Sequence, residues 1–239
     1  TQEFHKMKAV MFLVLVNLFF LLVVTVSFAV APTQDIPSLN ATRIYNTTND
    51  DLIVYNQSTF DADADDVKNI INWYRNGTSI TVLNMPFEKV NGTDIDNAWD
   101  YSGYLNNGSV TGATWNDTSG YDGKGAYYFD GNDYINTGND TELNFSTGSF
   151  TVVVWARTTA KTTGRIVNKG DAVASPNAYG WGISTRSNGQ VWFIVGFAGT
   201  EVIHTQTSDV YDTNWNHYAM VVNREEDTLQ GYIDGVTFT

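Results

Sequence analysis

The fold is decided by an uncharged stretch, Ser149-Phe150-Thr151-Val152-Val153-Val154-Trp155. Successive side chains of a β-strand point to opposite sides of the sheet, so this stretch has two faces. Phe150, Val152 and Val154 share one face, and Thr151, Val153 and Trp155 share the other. Because both faces are largely apolar, two interpretations stay open: the strand is covered on each side, or Trp155 serves an exposed concave surface.

Short apolar runs of the same kind recur on both sides of this stretch. They cover residues 126–129, 165–168, 180–184, 190–195, 202–205, 216–222 and 229–233. Gly, Asn and Asp fill the gaps, and no long helical repeat follows residue 90. Many short strands with Gly-rich turns predict an all-β, antiparallel jelly-roll β-sandwich.

Composition excludes several classes of function. The 239 residues carry 13 Lys+Arg against 26 Asp+Glu, a formal net charge of −13. That charge argues against nucleic acid and against a polybasic contact with anionic lipid, because both need clustered cations. The absence of cysteine excludes a disulfide scaffold, a Cys-ligated zinc site and a thiol nucleophile.

Residues 9–31 form an uncharged stretch of 23 residues that is long enough to span a bilayer. If translation starts at Met7, the stretch is a secretory signal peptide cleaved after Ala29. The alternative is a retained membrane anchor or the core helix of a pilin-like filament subunit. Either interpretation places the following residues outside the cytoplasm, at the cell surface or in the extracellular medium.

Glycosylation sequons support the same location. Nine Asn-x-Ser/Thr sequences occur within a short part of the chain and predict a surface glycoprotein. They begin at Asn40, Asn46, Asn56, Asn76, Asn91, Asn107, Asn116, Asn139 and Asn144.

The chain is predicted to contain four parts: a targeting segment or membrane anchor (residues 1–31), a linker (32–50), a short β segment (51–90) and the jelly roll (94–239). In the β segment, Asn76-Gly77 predicts a hairpin turn. The alternating Asp61, Asp63 and Asp65 suit either a calcium loop or a solvated turn. The β segment resembles part of the immunoglobulin-like or PKD-like repeats of archaeal and bacterial surface proteins.

Four motifs beyond residue 94 resemble the laminin G-like group of concanavalin A-like lectin and glucanase jelly rolls. They are the stretches 100–108 (DYSGYLNNG), 128–135 (YFDGNDYI), 149–155 (SFTVVVW) and 215–222 (WNHYAMVV) followed by 231–235 (GYIDG). The resemblance implies a carbohydrate-binding or adhesion domain, with a structural calcium near the Phe129-Asp130-Gly131 turn at Asp130 and Asp133. In this turn Phe129 is expected to point into the core.

A jelly roll of this group normally continues past residue 235. The chain is therefore expected to be a fragment, incomplete at its C-terminus. Without the next strand, residues 126–129 would keep an unpaired edge, and the chain alone is expected to be poorly soluble.

Catalysis is not expected. Glucanases of this group carry Glu-x-Asp-x-x-Glu on a strand, whereas the nearest string here, Glu225-x-Asp227-x-x-Gln230, lacks the last acid and lies on a predicted hairpin tip. His204 and His217 are isolated and are interpreted as core or edge residues. Tyr179, Trp181 and Trp192 are the candidate aromatic platform for a sugar ring, although Trp181 and Trp192 also suit a sandwich core.

The sequence thus predicts a non-enzymatic, secreted or surface-attached adhesion or structural protein whose jelly roll binds a glycan or a surface protein. Two alternatives stay open. One is the non-catalytic carbohydrate-binding part of a larger glycan-degrading enzyme, and the other is a pilin-like filament subunit that displays the jelly roll. Calcium is the one cofactor expected.

Overall fold

A computed structural model of the chain describes residues 30–43, 47, 50–88, 97–145, 147–171, 179–197, 200–205 and 209–237. The predicted targeting segment lies outside the described residues except for its last two positions. Within the described residues, no helix is long and apolar enough to cross a membrane. The chain divides into two compact units, Thr1–Ile71 and Asn72–Thr239.

The first unit contains one β-hairpin. Strand β1 (Ser38–Ala41) pairs antiparallel with β2 (Leu52–Tyr55), and an isolated bridge joins Thr33 to Phe60. The predicted strand at residues 52–55 is confirmed. Leu52 is 56% exposed, and none of the described residues in this unit is buried. A two-stranded hairpin of this kind is marginal without packing.

The second unit begins with a hairpin of β3 (Tyr74–Arg75) and β4 (Thr78–Ser79). Asn76 and Gly77 both have positive φ, 52° and 80°, as the type I′ turn requires, so the turn prediction is confirmed. Within residues 51–90, β2 therefore pairs with β1 of the predicted linker in the first unit, and β3 and β4 form a separate hairpin in the second unit, rather than one immunoglobulin-like sandwich.

Short strands follow in two small sheets. Strands β5 (Asn97–Ala98), β6 (Gly108–Thr111) and β9 (Tyr134–Asn136) form a three-stranded sheet in the order β5-β6-β9. Strand β7 (Thr114–Asn116) pairs with β8 (Ala126–Tyr128). A short 3-10 helix, Thr141–Leu143, leads to the larger sheets.

The loop between β5 and β6 is held together by a buried carboxylate. Asp100 is 6% exposed. Its two oxygens accept hydrogen bonds from the backbone N–H groups of Asn84, Ser102 and Asn106 and from the Ser102 hydroxyl, at 2.7–3.0 Å. A buried carboxylate is tolerated when it is hydrogen-bonded in this way. The first of the four motifs therefore has a structural explanation, because the hydrogen bonds of Asp100 hold its loop together.

Two four-stranded antiparallel sheets make up the rest of the unit. The first, called the β10 sheet, has the order β10 (Phe150–Ala156), β15 (Asn216–Asn223), β16 (Thr228–Ile233) and β17 (Val236–Thr237). The second, called the β13 sheet, has the order β11 (Gly164–Asp171), β12 (Tyr179–Thr185), β13 (Val191–Phe197) and β14 (Thr200–Thr205). All eight strands predicted beyond residue 125 are confirmed, with ends that shift by at most three residues.

The two sheets share one hydrophobic core. Met220 from the β10 sheet and Phe193 from the β13 sheet are both fully buried in it. The Phe193 ring packs on the backbone of Gly231, where an added Cβ would lie 2.4 Å from the ring. The structure confirms the all-β, antiparallel class, whereas the jelly-roll connectivity is left as a prediction.

Candidate binding surface

The outer face of the β10 sheet carries the exposed aromatic and apolar residues of interest. Val153 is 60% exposed and Trp155 is 38% exposed, although the opposite side of the same strand packs into the core. Of the two interpretations of this strand, an exposed surface at Trp155 is therefore confirmed, and coverage on both sides is wrong.

Strand register decides which residues join Trp155. On β15, His217 lies opposite Trp155, Ala219 opposite Val153 and Val221 opposite Thr151. On β16, Tyr232 lies opposite Ala219 and Gln230 opposite Val221. Residues directly opposite each other in a ladder share a face. The Trp155 face is defined here as Tyr121, Thr151, Val153, Trp155, His217, Ala219, Val221, Gln230 and Tyr232.

Three rings meet at one end of the Trp155 face. The Tyr121 ring stacks on Trp155, with centroids 3.5 Å apart and planes 14° apart. The centroid of the His217 ring lies 5.1 Å from that of Trp155, and the two planes are tilted by 58°. Tyr121 is itself 57% exposed, so the stack presents an open ring to solvent.

Tyr121 reaches this position from a tight turn between β7 and β8. The Gly120 N–H donates to the Lys124 carbonyl at 2.7 Å, and the Gly123 N–H donates to the Gly120 carbonyl at 3.0 Å. Gly123 has a φ of 76°, which favours glycine. Sequence reasoning missed Tyr121, and the available signal was an aromatic residue between two turn glycines.

The turn between β16 and β17 holds the backbone of His217 through two hydrogen bonds with Asp234. The His217 N–H donates to the Asp234 Oδ1 at 2.8 Å, and the Asp234 N–H donates to the His217 carbonyl at 2.9 Å. The sequence pattern favours a core or edge position for His217. The structure places it half-buried in an inner strand, in contact with an exposed tryptophan.

The next residue along β15 points into the core and has altered acidity. Burial, helped by the nearby negative charges of Asp212 and Asp234, raises the pKa of Tyr218 to about 12. The phenol is 4% exposed and stays neutral at physiological pH.

The tryptophans predicted to form a sugar platform do not lie together. Trp181 pairs with Val195, whereas Trp192 pairs with Ser184, so the two indoles are on opposite faces of the β13 sheet. Trp181 packs against the core beside Phe145 and Phe150, at 6.0 and 5.9 Å. One platform cannot contain both.

Trp192 has a different neighbour. The Arg186 guanidinium lies 3.6 Å from its ring centroid, a cation–π contact. The Tyr179 side chain lies outside the described residues, as does that of His204. A ligand role for Tyr179, Trp181 or Trp192 stays a prediction.

The predicted calcium turn is formed, but with a different packing. The Asp130 N–H donates to the Asp133 Oδ2 at 2.9 Å, which closes the turn. Phe129 is 47% exposed, so its predicted place in the core is wrong: it follows the last residue of β8 and continues into the turn. Calcium binding at Asp130 and Asp133 stays a prediction.

A second group of acidic residues has its carboxylates close together. Carboxylate oxygens of Asp61, Asp63 and Asp65 lie within 4.8 Å of one another. The Asp61 Oδ1 also accepts the N–H groups of Asp63 and Asp65, at 2.8 and 3.2 Å. These bonds are those of a solvated turn, and both interpretations of the acidic loop remain compatible with them.

The acidic string interpreted as non-catalytic does lie on a hairpin tip. Strand β15 ends at Asn223 and β16 begins at Thr228. The Asn223 Oδ1 accepts the N–H groups of Glu225 and Glu226, at 3.0 and 3.3 Å. These acids face solvent at a turn and do not line a cleft.

Most predicted sequons are accessible. Asn40, Asn56, Asn76, Asn116, Asn139 and Asn144 are exposed. Asn107 is half-buried, with its Oδ1 accepting the Asp100 N–H at 2.8 Å. Asn46 and Asn91 lie outside the described residues, and glycosylation stays a prediction.

Comparison with protein families gives a match within the second unit. The family described as Clostridium neurotoxin, N-terminal receptor binding, matches residues 95–239, more than half of the chain. A curated relative, the "Non-toxic nonhemagglutinin" of Paraclostridium bifermentans, is 30% identical over 113 residues, which are 46% of this chain and 9% of that protein. The chain thus spans only a small part of the length of that relative.

A solved structure is also similar. The S-layer domain-containing protein (residues 221–444) of Clostridium thermocellum superposes with a TM-score of 0.44 at 22% identity, over 66% of this chain and 70% of that chain. A score at this level carries no inference about fold or function.

The family match shows that the resemblance to the laminin G-like group is wrong. The resemblance of residues 51–90 to an immunoglobulin-like repeat is wrong as well, because β2 and the β3–β4 hairpin belong to separate units. The four motifs are strand alternation, an Asp-Gly turn and a hairpin, which antiparallel sheets of many families share. Such motifs follow from local geometry and do not identify a family. The chain belongs to the Clostridium neurotoxin N-terminal receptor-binding family.

Proposed function

We propose that residues 95–239 are a non-catalytic binding domain of an exported protein, and that the Trp155 face binds a glycan on a cell surface. The observation that carries this proposal is the exposed Tyr121–Trp155 stack on a sheet face that also carries apolar and uncharged polar side chains. The receptor-binding description of the family supports a binding role of this kind. The jelly-roll connectivity predicted from the sequence is compatible with it.

The chemistry of the Trp155 face suits a sugar ring. A pyranose has one apolar side that packs on an aromatic ring and hydroxyl groups that need hydrogen-bond partners. The open side of Tyr121 supplies the ring. His217 and Gln230 supply polar groups on the same face, within the register described above.

Charge narrows the class of glycan. The chain carries a formal net charge of −13, and the Trp155 face contributes no Lys or Arg. Like charges repel at long range, so sialylated or sulfated glycans are disfavoured. Neutral hexose or N-acetylhexosamine units are the expected ligands.

Hydrolysis is not part of the proposal. Retaining glycosidases hold two carboxyl groups about 5 Å apart in a cleft. The Trp155 face as defined contains no Asp or Glu side chain. Incubation of the chain with a β-glucan is expected to release no reducing ends, and release would overturn this part of the proposal.

The test compares alanine variants on the two sheets. Trp155→Ala is expected to weaken binding to neutral glycans on an array by about tenfold or more, because a central aromatic contact dominates such surfaces. Trp192→Ala is the matched control, since Trp192 is a half-buried indole on the outer face of the other sheet. Thermal melts of both variants establish that each is folded.

Each outcome bears on the site. If Trp155→Ala loses glycan binding and Trp192→Ala retains it, the Trp155 face is supported as the binding site. The reverse result contradicts it and places the site at the tryptophan predicted from the sequence. Binding of a surface protein instead of any glycan, with the same dependence on Trp155, would reject the glycan as ligand.

A further inference from the structure

Strand β10 forms an open edge of its sheet. It pairs with β15 along all seven residues, and no other described strand pairs with it. Among the described residues, no loop backbone donates to or accepts from residues 150–156. An edge strand presents a row of unpaired N–H and C=O groups that only water or another extended chain can satisfy.

The features that normally protect an edge are absent from β10. It contains no charged residue and no proline, and its register with β15 is continuous. An edge strand of the other sheet, β11, has two of these protective features. Strand β11 carries Arg165 and Lys169, and its register shifts between Arg165 and Val167, which is the signature of a bulge.

We propose that β10 pairs antiparallel with β10 of a second copy of this chain, about a two-fold axis through Val153. Val153 is the central residue of Phe150–Ala156, so an antiparallel pairing about it aligns all seven residues of the two copies. This register places Val153 opposite Val153, Val152 opposite Val154, and Thr151 opposite Trp155. It joins the two four-stranded β10 sheets into one continuous sheet.

Side-chain chemistry favours this occupant. Every cross-strand pair is apolar or pairs a threonine with an aromatic residue, and none opposes like charges. A two-fold axis perpendicular to the sheet keeps each core face on its own core and places the two Trp155 faces side by side. A closed, isologous dimer also pairs the β10 edges of both copies with each other. The pairing does not depend on what the Trp155 face binds.

Long-range charge opposes the dimer and makes it sensitive to salt. Each copy has a formal net charge of −13, and this repulsion is screened as ionic strength rises. Because the paired strands themselves are uncharged, we expect higher salt to strengthen the association. Weakening by salt would show that a charged contact holds the copies together and would overturn the proposal.

The absence of cysteine from the chain allows a position-specific test. In the full chain, Val153→Cys is expected to form an intermolecular disulfide under mild oxidation, since opposite Cβ atoms in a ladder are close enough to bridge. Val236→Cys is the matched control, because Val236 is 62% exposed on the other edge strand of the same sheet. Thr151→Cys tests the register, since two copies of residue 151 lie far apart in the proposed pairing.

The expected result is that Val153→Cys cross-links about tenfold faster than Val236→Cys and Thr151→Cys, which react only by random collision. Val153→Lys is expected to raise the dissociation constant of the dimer about tenfold or more, because two ammonium groups then face each other on the axis. Val236→Lys is expected to leave it unchanged, in sedimentation at equal protein concentration.

Two results would overturn the proposal. One is a Val153→Cys rate equal to that of Val236→Cys, which is also the outcome if another segment of a longer protein covers β10. The other is a Thr151→Cys rate equal to that of Val153→Cys, which would refute the two-fold register. Circular dichroism of each variant confirms that the sheets are intact.

Discussion

Strands β10 and β13 have sequences of the same kind and opposite environments. Each is a seven-residue run, FTVVVWA and VWFIVGF, without charge or proline. On the side away from the shared core, Val153 of β10 is 60% exposed, whereas Ile194 of β13 is 0% exposed. A continuous apolar run therefore establishes that a strand forms, but not how many of its faces are covered.

The two strands differ in how much their outer faces contribute to stability. A strand buried on both sides contributes stability through both faces. A strand that leaves an apolar, aromatic face in water gives up part of that stabilisation, and exposed patches of this kind mark interaction sites. The Trp155 face is exposed to solvent, whereas the outer side of β13 is buried at Ile194.

The same substitution on the two strands should break the comparison most sharply. Ile194→Lys buries an unpaired ammonium and is expected to cost more than about 4 kcal/mol, close to the whole stability of a domain. Val153→Lys projects into solvent and is expected to change the free energy of unfolding by less than about 1 kcal/mol. Urea unfolding of both variants measures the difference. Similar losses in the two would contradict the assignment of β10 as open.

Alkaline titration probes the closed side of the β10 sheet. The pKa of Tyr218 is raised to about 12, from an ordinary value near 10. Between these values the unfolded chain loses the phenolic proton while the folded chain keeps it, so stability falls as pH rises. The neutral, buried phenol contributes about 3 kcal/mol to the free energy of unfolding, and this contribution is fully lost above pH 12.

Tyr218→Phe removes this ionisation from both states. We expect the free energy of unfolding of the wild-type chain to fall by about 2–3 kcal/mol more than that of Tyr218→Phe between pH 9 and pH 12. Equal losses would show that the phenol is not buried as described. Denaturant melts at fixed pH values provide the measurement.

The contact between the two sheets can be overpacked by one methyl group. An added Cβ at Gly231 would lie 2.4 Å from the Phe193 ring, so Gly231→Ala is expected to cost about 1–3 kcal/mol. Gly148→Ala is the control, since no heavy atom lies within 4 Å of its added Cβ and its φ is not positive. A Gly231→Ala melt that matches the Gly148→Ala melt would place the ring elsewhere.

The smallest expected effect lies on the open face. Tyr121 and Trp155 form an exposed stacked pair, and such pairs contribute about 0.5–1.5 kcal/mol. A double-mutant cycle of Tyr121→Ala and Trp155→Ala should return a coupling energy in this range. Zero coupling would mean that the rings do not stack in solution, and the candidate sugar platform would be lost with them.

Local features of this chain were predictable because their causes are local. Alternation located eight strands beyond residue 125, and Asn76-Gly77 located a hairpin, since the positive φ angles of that turn favour those two residues. Alternation also gave the two faces of β10 and named Trp155 as one candidate for an exposed surface. The same local motifs led to the wrong family, because turns and alternating strands recur in many antiparallel sheets.

The sequence by itself determined the strands, the turns and the acidic, cysteine-free character that excludes whole classes of ligand. Only the tertiary structure decided that the Val153 side chain is exposed while that of Ile194 is buried. It also decided that Trp181 and Trp192 lie on opposite faces of one sheet. It also brought Tyr121, a loop residue, onto Trp155. Burial and stacking depend on contacts between residues far apart in the chain, whereas periodicity reports only neighbours, so no local pattern could have fixed them.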